Sequence, residues 1–221
     1  MESGILCADS VREDEALLRS GRPAVRVAVL GDQALSVGAG TSRVAGCLAR
    51  AAAEGIPVVR RSSGGTGVLH AIGDLAWSIV LPRAHPLVGR DFVRSYDRLG
   101  QGTTRFATTL GLAAVWEAAP GLSEDCCLLG GRGQILSVGG KILGGAAQHV
   151  TGRALLHHGI LPYRIDRKAQ CRVFALESPG PGDRLTDLRE LGVTAPLERL
   201  ARALAEAIAR DVSDESRGRS G

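Results

Sequence analysis

Strand-like runs dominate the first three quarters of the chain, and they adjoin one another instead of alternating with helices. Such runs occur at 24–30, 34–37, 58–61, 68–70, 77–81, 134–138, 141–143 and 154–164. The pair Gly139-Gly140 between two of these runs is a two-residue hairpin signal. A doubly wound parallel sheet needs a crossover helix after each strand, so this order predicts an α+β fold with helices packed against a sheet.

Helical patterns complete the prediction. They cover 10–19, a stretch from 41 or 42 to about 54, then 89–99, 105–117 and a terminal amphipathic helix that begins near 194. In the first of these, Ser10 and Glu13 have the spacing of a capping box. No internal repeat or second boundary is evident, so we expect a single catalytic domain over 1–211 and a disordered polar tail over 212–221.

Composition narrows the class of protein. At 221 residues with 44% apolar and 23% charged residues, the chain has ordinary globular composition. No stretch approaches the roughly 18 apolar residues that cross a bilayer, and the N-terminus lacks the build of a signal peptide. Five scattered cysteines suggest neither a disulfide framework nor a zinc site, which fits a reducing compartment. We therefore expect a cytoplasmic protein with no membrane partner and no bound metal.

The charge pattern bears on the partner. The net charge of +4 comes almost wholly from dispersed arginines, and only three Phe, two Tyr and two Trp are available to stack on bases. This pattern argues against a nucleic-acid partner. A mildly basic surface suits an acidic protein or an anionic nucleotide equally well.

A glycine-rich loop lies between two predicted strands, with the sequence Arg60-Arg61-Ser62-Ser63-Gly64-Gly65-Thr66-Gly67-Val68-Leu69-His70. Glycines let backbone amides approach an anion, and the arginine pair supplies charge and forked donors. The spacing is not that of a P-loop or a dinucleotide fingerprint. On this pattern alone, a flexible turn beside a solvated arginine pair remains an alternative.

A second candidate segment surrounds a lone lysine, in the sequence Gly139-Gly140-Lys141-Ile142-Leu143-Gly144-Gly145-Ala146-Ala147-Gln148. Only Lys141 and Lys168 are lysines, against 25 arginines. A compact ammonium suits a position beside a carbonyl or a phosphate, and small flanking residues leave room for a ligand. Chance retention of a lysine on a hairpin is the alternative.

Together these segments resemble the lipoate-protein ligases and octanoyltransferases. The loop is similar to that family's arginine-arginine, Ser-Gly-Gly, valine, histidine loop. Lys141-Ile142-x-Gly144-x-Ala146-x-Gln148 is similar to its lysine motif, and His157-His158-Gly159 to its following His-Gly strand. The resemblance covers about residues 10–210, including Asp14-Glu15-Ala16 in the opening helix.

The resemblance implies a domain related to biotin ligases, with a largely antiparallel or mixed sheet and a tunnel for lipoic or octanoic acid. It implies that Lys141 is catalytic, holding the acyl carbonyl or an adenylate phosphate, and that the acceptor is the lysine of a lipoyl-carrier domain. Binding roles are implied for Arg60, Arg61, Ser63, Gly64, Gly65, Gly67, Val68, His70, Arg132, Gly144, Ala146, Gln148, His158 and Gly159.

The acyl donor remains open between two mechanisms. A ligase would activate the free acid with ATP and Mg²⁺, and Arg132 lies where ligases carry a Gly-Arg-Asn-Asp-like stretch, although only Gly131-Arg132 matches it. A transferase would accept the acyl group from acyl carrier protein on Cys126, fifteen residues before Lys141. We favour the ligase, because the loop, the His-His-Gly strand and Arg132 support it and the transferase depends on Cys126.

Departures from the family pattern bear on nucleotide placement. Ala71 stands where ligases often have Asp, and Gly73-Asp74 stands where a Gly-Asn is usual. A small C-terminal accessory domain found in many ligases is not evident. A non-catalytic binding module and a biotin-protein ligase are further alternatives, but the intact loop and Lys141 argue against the first, and no Gly-Arg-Gly pattern near residue 60 supports the second.

Overall fold

The computed structural model describes residues 4–40, 44–88, 92–130, 134–177 and 180–217. The helices are α1 (Cys7–Ser20), α2 (Ala45–Ala53), α3 (Phe92–Thr109), α4 (Arg167–Phe174) and α5 (Leu197–Arg217). The strands are β1 (Ala24–Val29), β2 (Ala34–Val37), β3 (Val58–Arg60), β4 (Gly67–His70), β5 (Leu75–Pro82), β6 (Ala114–Ala118), β7 (Gln134–Val138), β8 (Lys141–Val150) and β9 (Ala154–Leu161). A short 3-10 helix spans Pro181–Arg184. The predicted α+β class is confirmed.

Two sheets divide the strands between them. The larger is antiparallel, in the order β1-β5-β9-β8-β7-β6, and the smaller has the order β3-β2-β4. In the smaller sheet β2 pairs in parallel with β3 and antiparallel with β4. Strands β7 and β8 form the predicted hairpin, and Gly139 and Gly140 both take the positive φ that such a turn needs.

Two apolar cores support these sheets. Helices α3 and α5 pack on one face of the large sheet, around residues such as Trp77, Phe106 and Leu204. A second core, which contains Leu35 and Val173, lies between the small sheet and helices α2 and α4. Burial of these apolar faces is what fixes the relative position of the sheets.

Small residues bring β8 and β9 unusually close to their neighbours. A Cβ added to Gly144 would lie 2.2 Å from the Ile160 carbonyl oxygen, and one added to Gly159 would lie 2.3 Å from the Gly145 carbonyl oxygen. The Gly159 Cβ would also lie 2.5 Å from the Trp77 ring. These glycines therefore permit the close backbone approach from which the candidate site is built.

The helix predicted at 105–117 is wrong. Helix α3 continues through 105–109 and ends at Thr109, two residues before Gly111, which has a φ of +77°, and Ala114–Ala118 is strand β6 paired with β7. The periodicity of a short apolar run does not distinguish a helix from a strand. Here the segment forms a strand because it pairs with the edge of β7.

The predicted capping box at Ser10 is also wrong, because α1 begins three residues earlier. The amide of Cys7 donates to Asp32 Oδ1 at 2.7 Å, so a residue distant in sequence caps the helix. The Ser10 hydroxyl instead accepts a hydrogen bond from Arg26 at 3.0 Å. Tertiary contacts have replaced the local cap.

Two further differences concern helices. Helix α4 was not predicted, and its cap is Asp166, whose carboxylate accepts from the Ala169 amide at 3.0 Å. The expected tail over 212–221 is helical as far as Arg217, while 218–221 lie outside the described residues, as do Thr41 and Ser42. Among the described helices, none combines the length and apolar character required to cross a membrane.

Candidate functional site

A mostly apolar cavity of about 70 Å³ lies where the small sheet and α1 meet the large sheet. Its walls include Val68 from β4, Trp77 from β5, Ala147 from β8 and Ile160 from β9. Pockets for small molecules usually measure roughly 300–1,000 Å³. The cavity in this structure is therefore smaller than a typical small-molecule pocket.

The second arginine of the glycine-rich loop is a buried cation in the cavity wall. Arg61 is 7% exposed, and it donates to the Ser36 hydroxyl at 2.9 Å and to the carbonyl oxygens of Gly64 and Thr66 at 3.2 and 2.9 Å. Burial lowers the pKa of its guanidinium, and no carboxylate of the described chain forms an ion pair with it. A buried charge with neutral partners alone is costly, so an anion or a polarised carbonyl in the cavity would stabilise it.

His70 lies beside this arginine in the same wall. Its Nε2 atom lies 2.7 Å from the Ser36 hydroxyl, while its Nδ1 is buried with no hydrogen-bond partner in the described structure. Burial, with a smaller contribution from Arg61, lowers the pKa of His70 to about 3. His70 is therefore a neutral imidazole with a free hydrogen-bonding atom at neutral pH.

A chain of polar side chains closes another side of the cavity. His158 Nδ1 lies 2.9 Å from Asp14 Oδ2, and His158 Nε2 lies 2.7 Å from the Ser63 hydroxyl. Arg26 in turn donates to Asp14 Oδ1 at 3.0 Å. Because Ser63 is fully buried and its hydroxyl is bonded to His158, this chain fixes the Ser-Gly-Gly loop to α1 and β9.

Gln148 was expected in the binding site, but it lies on the other face of the sheet. Its amide oxygen accepts from Ser95 of α3 at 3.0 Å, and its Nε2 lies 3.1 Å from His157 Nδ1. Successive side chains of a strand point to opposite faces, so Ala147 faces the cavity and Gln148 faces α3. The expectation that Gln148 contacts a ligand directly is therefore corrected to a packing role.

The two neighbouring cysteines have different environments. Cys126 is 1% exposed in the apolar core, and burial raises the pKa of its thiol to about 12. Cys127 is partly exposed and lines the cavity. Its amide donates to the Gly67 carbonyl at 2.8 Å, which anchors the segment to the start of β4. The structure thus brings Cys127 into the cavity, whereas sequence spacing selected Cys126.

Lys141 does not line the cavity. It is exposed at the first position of β8, four residues before Gly145, which corresponds to roughly 13 Å along an extended strand. It lies close enough to Glu190 to contribute to lowering the pKa of that carboxylate, an effect that arises chiefly from a hydrogen bond from Arg167. The expectation that Lys141 shares the cavity wall with the loop is not met in this arrangement.

The remaining predicted residues divide between the cavity and its supports. Val68, Ala146 and Gly159 line the cavity. Arg60 is exposed on β3, while Gly64 and Gly65 are exposed in the loop. Gly67 and Gly144 are buried in backbone contacts outside the cavity lining, and Arg132 lies outside the described residues.

Three site residues were missed from the sequence: Ser36, Asp14 as a polar group of the cavity, and Cys127. A signal for Asp14 existed, because Cys7, Ser10, Asp14 and Leu18 form the buried stripe of α1. Two polar side chains on the buried stripe of a helix require polar partners. No comparable pattern distinguishes Cys127 from its neighbour.

The cavity's donor set suits an anion or a carbonyl better than a metal ion. Arg61, a cation, and His70, which is neutral, face it. The one carboxylate in its described lining, Asp14, is engaged by Arg26 and His158. No group of three or more His, Cys, Asp or Glu side chains in the described part of the chain could hold a metal. The Arg60–His70 loop also contains no carboxylate, the ligand type that Mg²⁺ prefers.

Comparison with known proteins identifies the family to which the chain belongs. The family model "Lipoyl protein ligase A/B catalytic domain" matches residues 14–209. An octanoyltransferase LipM from an Exiguobacterium species is 32% identical over 151 residues, which are 64% of this chain and 54% of that relative. An octanoyltransferase LipM from Kyrpidia tusciae is 30% identical over 176 residues, 71% of this chain and 63% of that relative.

The fold likeness extends to solved structures. A lipoate-protein ligase A bound with ATP superposes with a TM-score of 0.74 at 20% identity, covering 92% of this chain and 80% of that one. The chain spans little more than half the length of the first of these curated relatives. The family match nevertheless covers most of the chain, from α1 to α5, and includes both candidate segments. The chain therefore belongs to the lipoyl protein ligase A/B catalytic domain family.

Proposed function

We propose that this domain transfers an octanoyl group from a thioester on acyl carrier protein to the specific lysine of a lipoyl-carrier domain. The transfer passes through a thioester on a cysteine of the enzyme. The observation that carries this proposal is a thiol in the wall of an apolar cavity, beside a buried guanidinium that has no carboxylate partner among the described residues. That combination fits a cysteine acyltransferase.

The donor is where this proposal departs from the sequence-based preference. The sequence favoured ATP-dependent ligation, but its nucleotide signals are incomplete: Ala71 replaces an Asp, and Gly133-Gln134 follows Gly131-Arg132 where ligases have Asn-Asp. The octanoyltransferase relatives, at about 30% identity, favour the thioester donor. The likeness to an ATP-bound ligase, at 20% identity, concerns the fold.

The chain's own residues supply orientation and charge. The apolar wall formed by Trp77, Ala147 and Ile160 excludes water and holds the hydrocarbon chain. The guanidinium of Arg61 offsets negative charge that develops on the acyl oxygen during attack. The Asp14–His158–Ser63 chain holds the loop against α1, so that these groups keep their positions during transfer.

Lys141 is proposed as a second catalytic group, at the end of the cavity from which carriers approach. It lies roughly 13 Å along β8 from Gly145 in the cavity wall, so it reaches an acyl carbonyl held at the cavity cysteine only after a rearrangement of the segments around the cavity. In that position the ammonium attracts the acyl oxygen when the acceptor amine attacks.

Parallel reactions test the donor. The intact mass of a lipoyl-carrier domain is measured after incubation of the full chain with octanoyl-acyl carrier protein without ATP, and with octanoate, ATP and Mg²⁺. We expect a mass increase in the first reaction and none in the second. An increase confined to the second reaction, with release of AMP, would establish a ligase and refute the transferase.

A further inference from the structure

We propose that Cys127, and not Cys126, is the cysteine that carries the acyl group, and that Arg61 is the positioning residue that keeps its sulfur ready for reaction. The inference rests on the proposed transferase function. It names the nucleophile at a pair of adjacent cysteines, where sequence spacing selects the other member.

The first argument is geometric. A Cβ built on Gly65 would lie 2.8 Å from the Cys127 sulfur and 3.0 Å from Arg61 Nη2. The thiol and the guanidinium therefore approach the same point of the loop backbone and are near neighbours. Gly65 also has a φ of +89°, so both its conformation and the space beside it favour glycine.

The second argument is electrostatic. Burial lowers the pKa of the Arg61 guanidinium, and Cys127 is the neighbour that most opposes this effect. The hydrogen bonds of Arg61 go to one hydroxyl and two carbonyl oxygens, so its positive charge is not neutralised by them. A negative sulfur, or the oxyanion formed when that sulfur attacks a carbonyl, is the partner that this buried cation lacks.

The unpartnered Nδ1 atom of His70 is a third observation. His70 is 8% exposed, lines the same cavity and is held through Nε2 by Ser36, which also accepts from Arg61. Nδ1 has no partner among the described residues, and a ligand carbonyl or an amine could occupy it. The Ser36 hydroxyl therefore holds both Arg61 and His70 in the cavity wall, and Cys127 lines the same cavity.

Cys126 is unsuited to the same role. It packs in the core with Leu128, Leu129 and Ile135, and its amide already donates a hydrogen bond to the Ser123 hydroxyl at 3.1 Å. Burial raises the pKa of its thiol to about 12, so the reactive thiolate is scarce near neutrality. The residue behaves as a small apolar side chain.

The chemistry balances without an external oxidant or nucleotide. The Cys127 sulfur attacks the carbonyl of the octanoyl thioester, a new carbon–sulfur bond forms, and the bond to the carrier's sulfur breaks. The carrier thiol leaves with the proton that Cys127 loses. The acceptor's lysine amine then attacks the Cys127 thioester, forming an amide and returning a proton to the Cys127 sulfur.

Matched variants of the full chain separate the two cysteines. Cys127→Ala and Cys126→Ala are each incubated with octanoyl-acyl carrier protein, quenched in acid and examined by intact mass and peptide fragmentation. We expect octanoyl on Cys127 in the wild type and in Cys126→Ala, and no octanoyl-enzyme in Cys127→Ala. Circular dichroism melting of each variant checks that the chain is folded.

A measurement on the unmodified wild type does not depend on how the variants fold. Iodoacetamide is added with and without prior octanoyl-acyl carrier protein, and the labelled site is located by fragmentation. We expect rapid labelling of Cys127, protection after acylation, and labelling of Cys126 only on unfolding. Labelling of Cys126 first, or protection confined to it, would overturn the assignment.

The role of Arg61 is tested by measuring the rate at which the Cys127 sulfur is alkylated. In Arg61→Met we expect the rate of Cys127 alkylation at pH 7 to fall about tenfold or more, with partial recovery in Arg61→Lys, because lysine restores the charge without the forked geometry. A purely structural role would not produce recovery that follows charge. Equal alkylation rates in all three proteins would remove Arg61 from the proposal.

The outcomes distinguish the inference from the function on which it rests. If octanoyl is found on Cys126 and transfer proceeds without ATP, the transferase stands and the choice of cysteine is wrong. If both cysteine variants transfer octanoyl at the wild-type rate, the thioester mechanism fails as a whole. If product forms only with ATP, the proposed function itself is refuted.

Discussion

His157 and His158 are neighbours on β9, but their side chains point to opposite faces of the sheet and have different surroundings. His158 faces the cavity, where it contacts Asp14 and Ser63. His157 faces α3, with its ring 5.1 Å from that of Trp77 and 5.3 Å from that of Tyr96. Burial lowers the pKa of His157 to about 3, so it is a neutral part of the core. A sequence motif names both histidines, but strand alternation assigns one to the site and one to packing.

The same division occurs at two other pairs of identical neighbours. Cys127 lines the cavity while Cys126 is in the core, and Arg61 is buried in the cavity wall while Arg60 is exposed on β3. In each pair the cavity member also contacts the Ser-Gly-Gly loop or lies against it. In each of these pairs of identical neighbours, the direction of the backbone points one side chain toward the cavity and the other away from it.

The largest effect is expected at Lys141, which neither lines the cavity nor belongs to the core. We predict that Lys141→Ala reduces octanoyl transfer at least about a thousandfold, because loss of a charge that acts on the acyl oxygen removes several kcal/mol of transition-state stabilisation. Lys168→Ala, the matched exposed lysine on α4, retains wild-type activity. Both are measured by product mass at saturating donor. Full activity of Lys141→Ala would remove the lysine from the mechanism.

The arginine pair gives the next effect. Arg61→Met is expected to lower the rate of transfer about a hundredfold, since it removes the cation of the cavity. Arg60→Met, on the exposed edge strand, is expected to have a much smaller effect. Initial rates of both variants, with melting temperatures as a check on folding, make the comparison. Equal losses at the two positions would break the division between cavity and surface.

The histidine pair separates activity from stability. His157→Ala removes a fully buried ring and a partner of Gln148, so we expect the free energy of unfolding to fall by about 2–4 kcal/mol. His158→Ala removes the side-chain partner of Ser63 and leaves Asp14 with Arg26 alone, so we expect about a tenfold loss of activity with a smaller loss of stability. Urea unfolding measures the stability of each variant, and initial rates of transfer measure its activity. A reversed pattern would mean that the faces are wrongly assigned.

Asp74 gives the smallest effect and concerns stability outside the cavity. Burial raises the pKa of this carboxyl to about 7, although it accepts hydrogen bonds from the Ala71 and Tyr163 amides. The folded state therefore binds the proton more tightly than the unfolded state, and stability falls as pH rises from about 4 to 7. Between pH 5 and pH 7.5 the loss is on the order of 2 kcal/mol. Urea titrations of Asp74→Asn should show a flatter dependence. An unchanged slope would contradict this assignment.

How much the sequence could predict follows from how local each signal is. The hairpin at Gly139-Gly140 and strand β2 needed only neighbouring residues, and both were predicted with the observed bounds. The start of α1 and strand β6 depended on Asp32 and on the edge of β7, which are distant in the chain, and both were mispredicted. The sequence pattern of a segment predicts its structure well when no contact with a distant part of the chain favours a different conformation.

The residues of the candidate site also divide into those that local sequence predicted and those that depend on distant contacts. The loop from Arg60 to His70 and the small residues of β8 were identified because glycine runs and doubled arginines are visible in sequence. The choice between Cys126 and Cys127 was not visible, since it depends on how the segment is anchored through Gly67. The environment of Lys141 likewise depends on where β8 begins relative to the cavity, which spacing alone does not determine.

Chemical competence of the acyl-enzyme is the most direct test of the account. Octanoyl-enzyme is prepared from octanoyl-acyl carrier protein, freed of the carrier, and mixed with an unmodified lipoyl-carrier domain without ATP while both masses are followed in time. We predict that octanoyl leaves Cys127 and appears on the domain's lysine at matching rates. Octanoyl that stays on the enzyme, or is lost to water while the domain remains unmodified, would contradict the account.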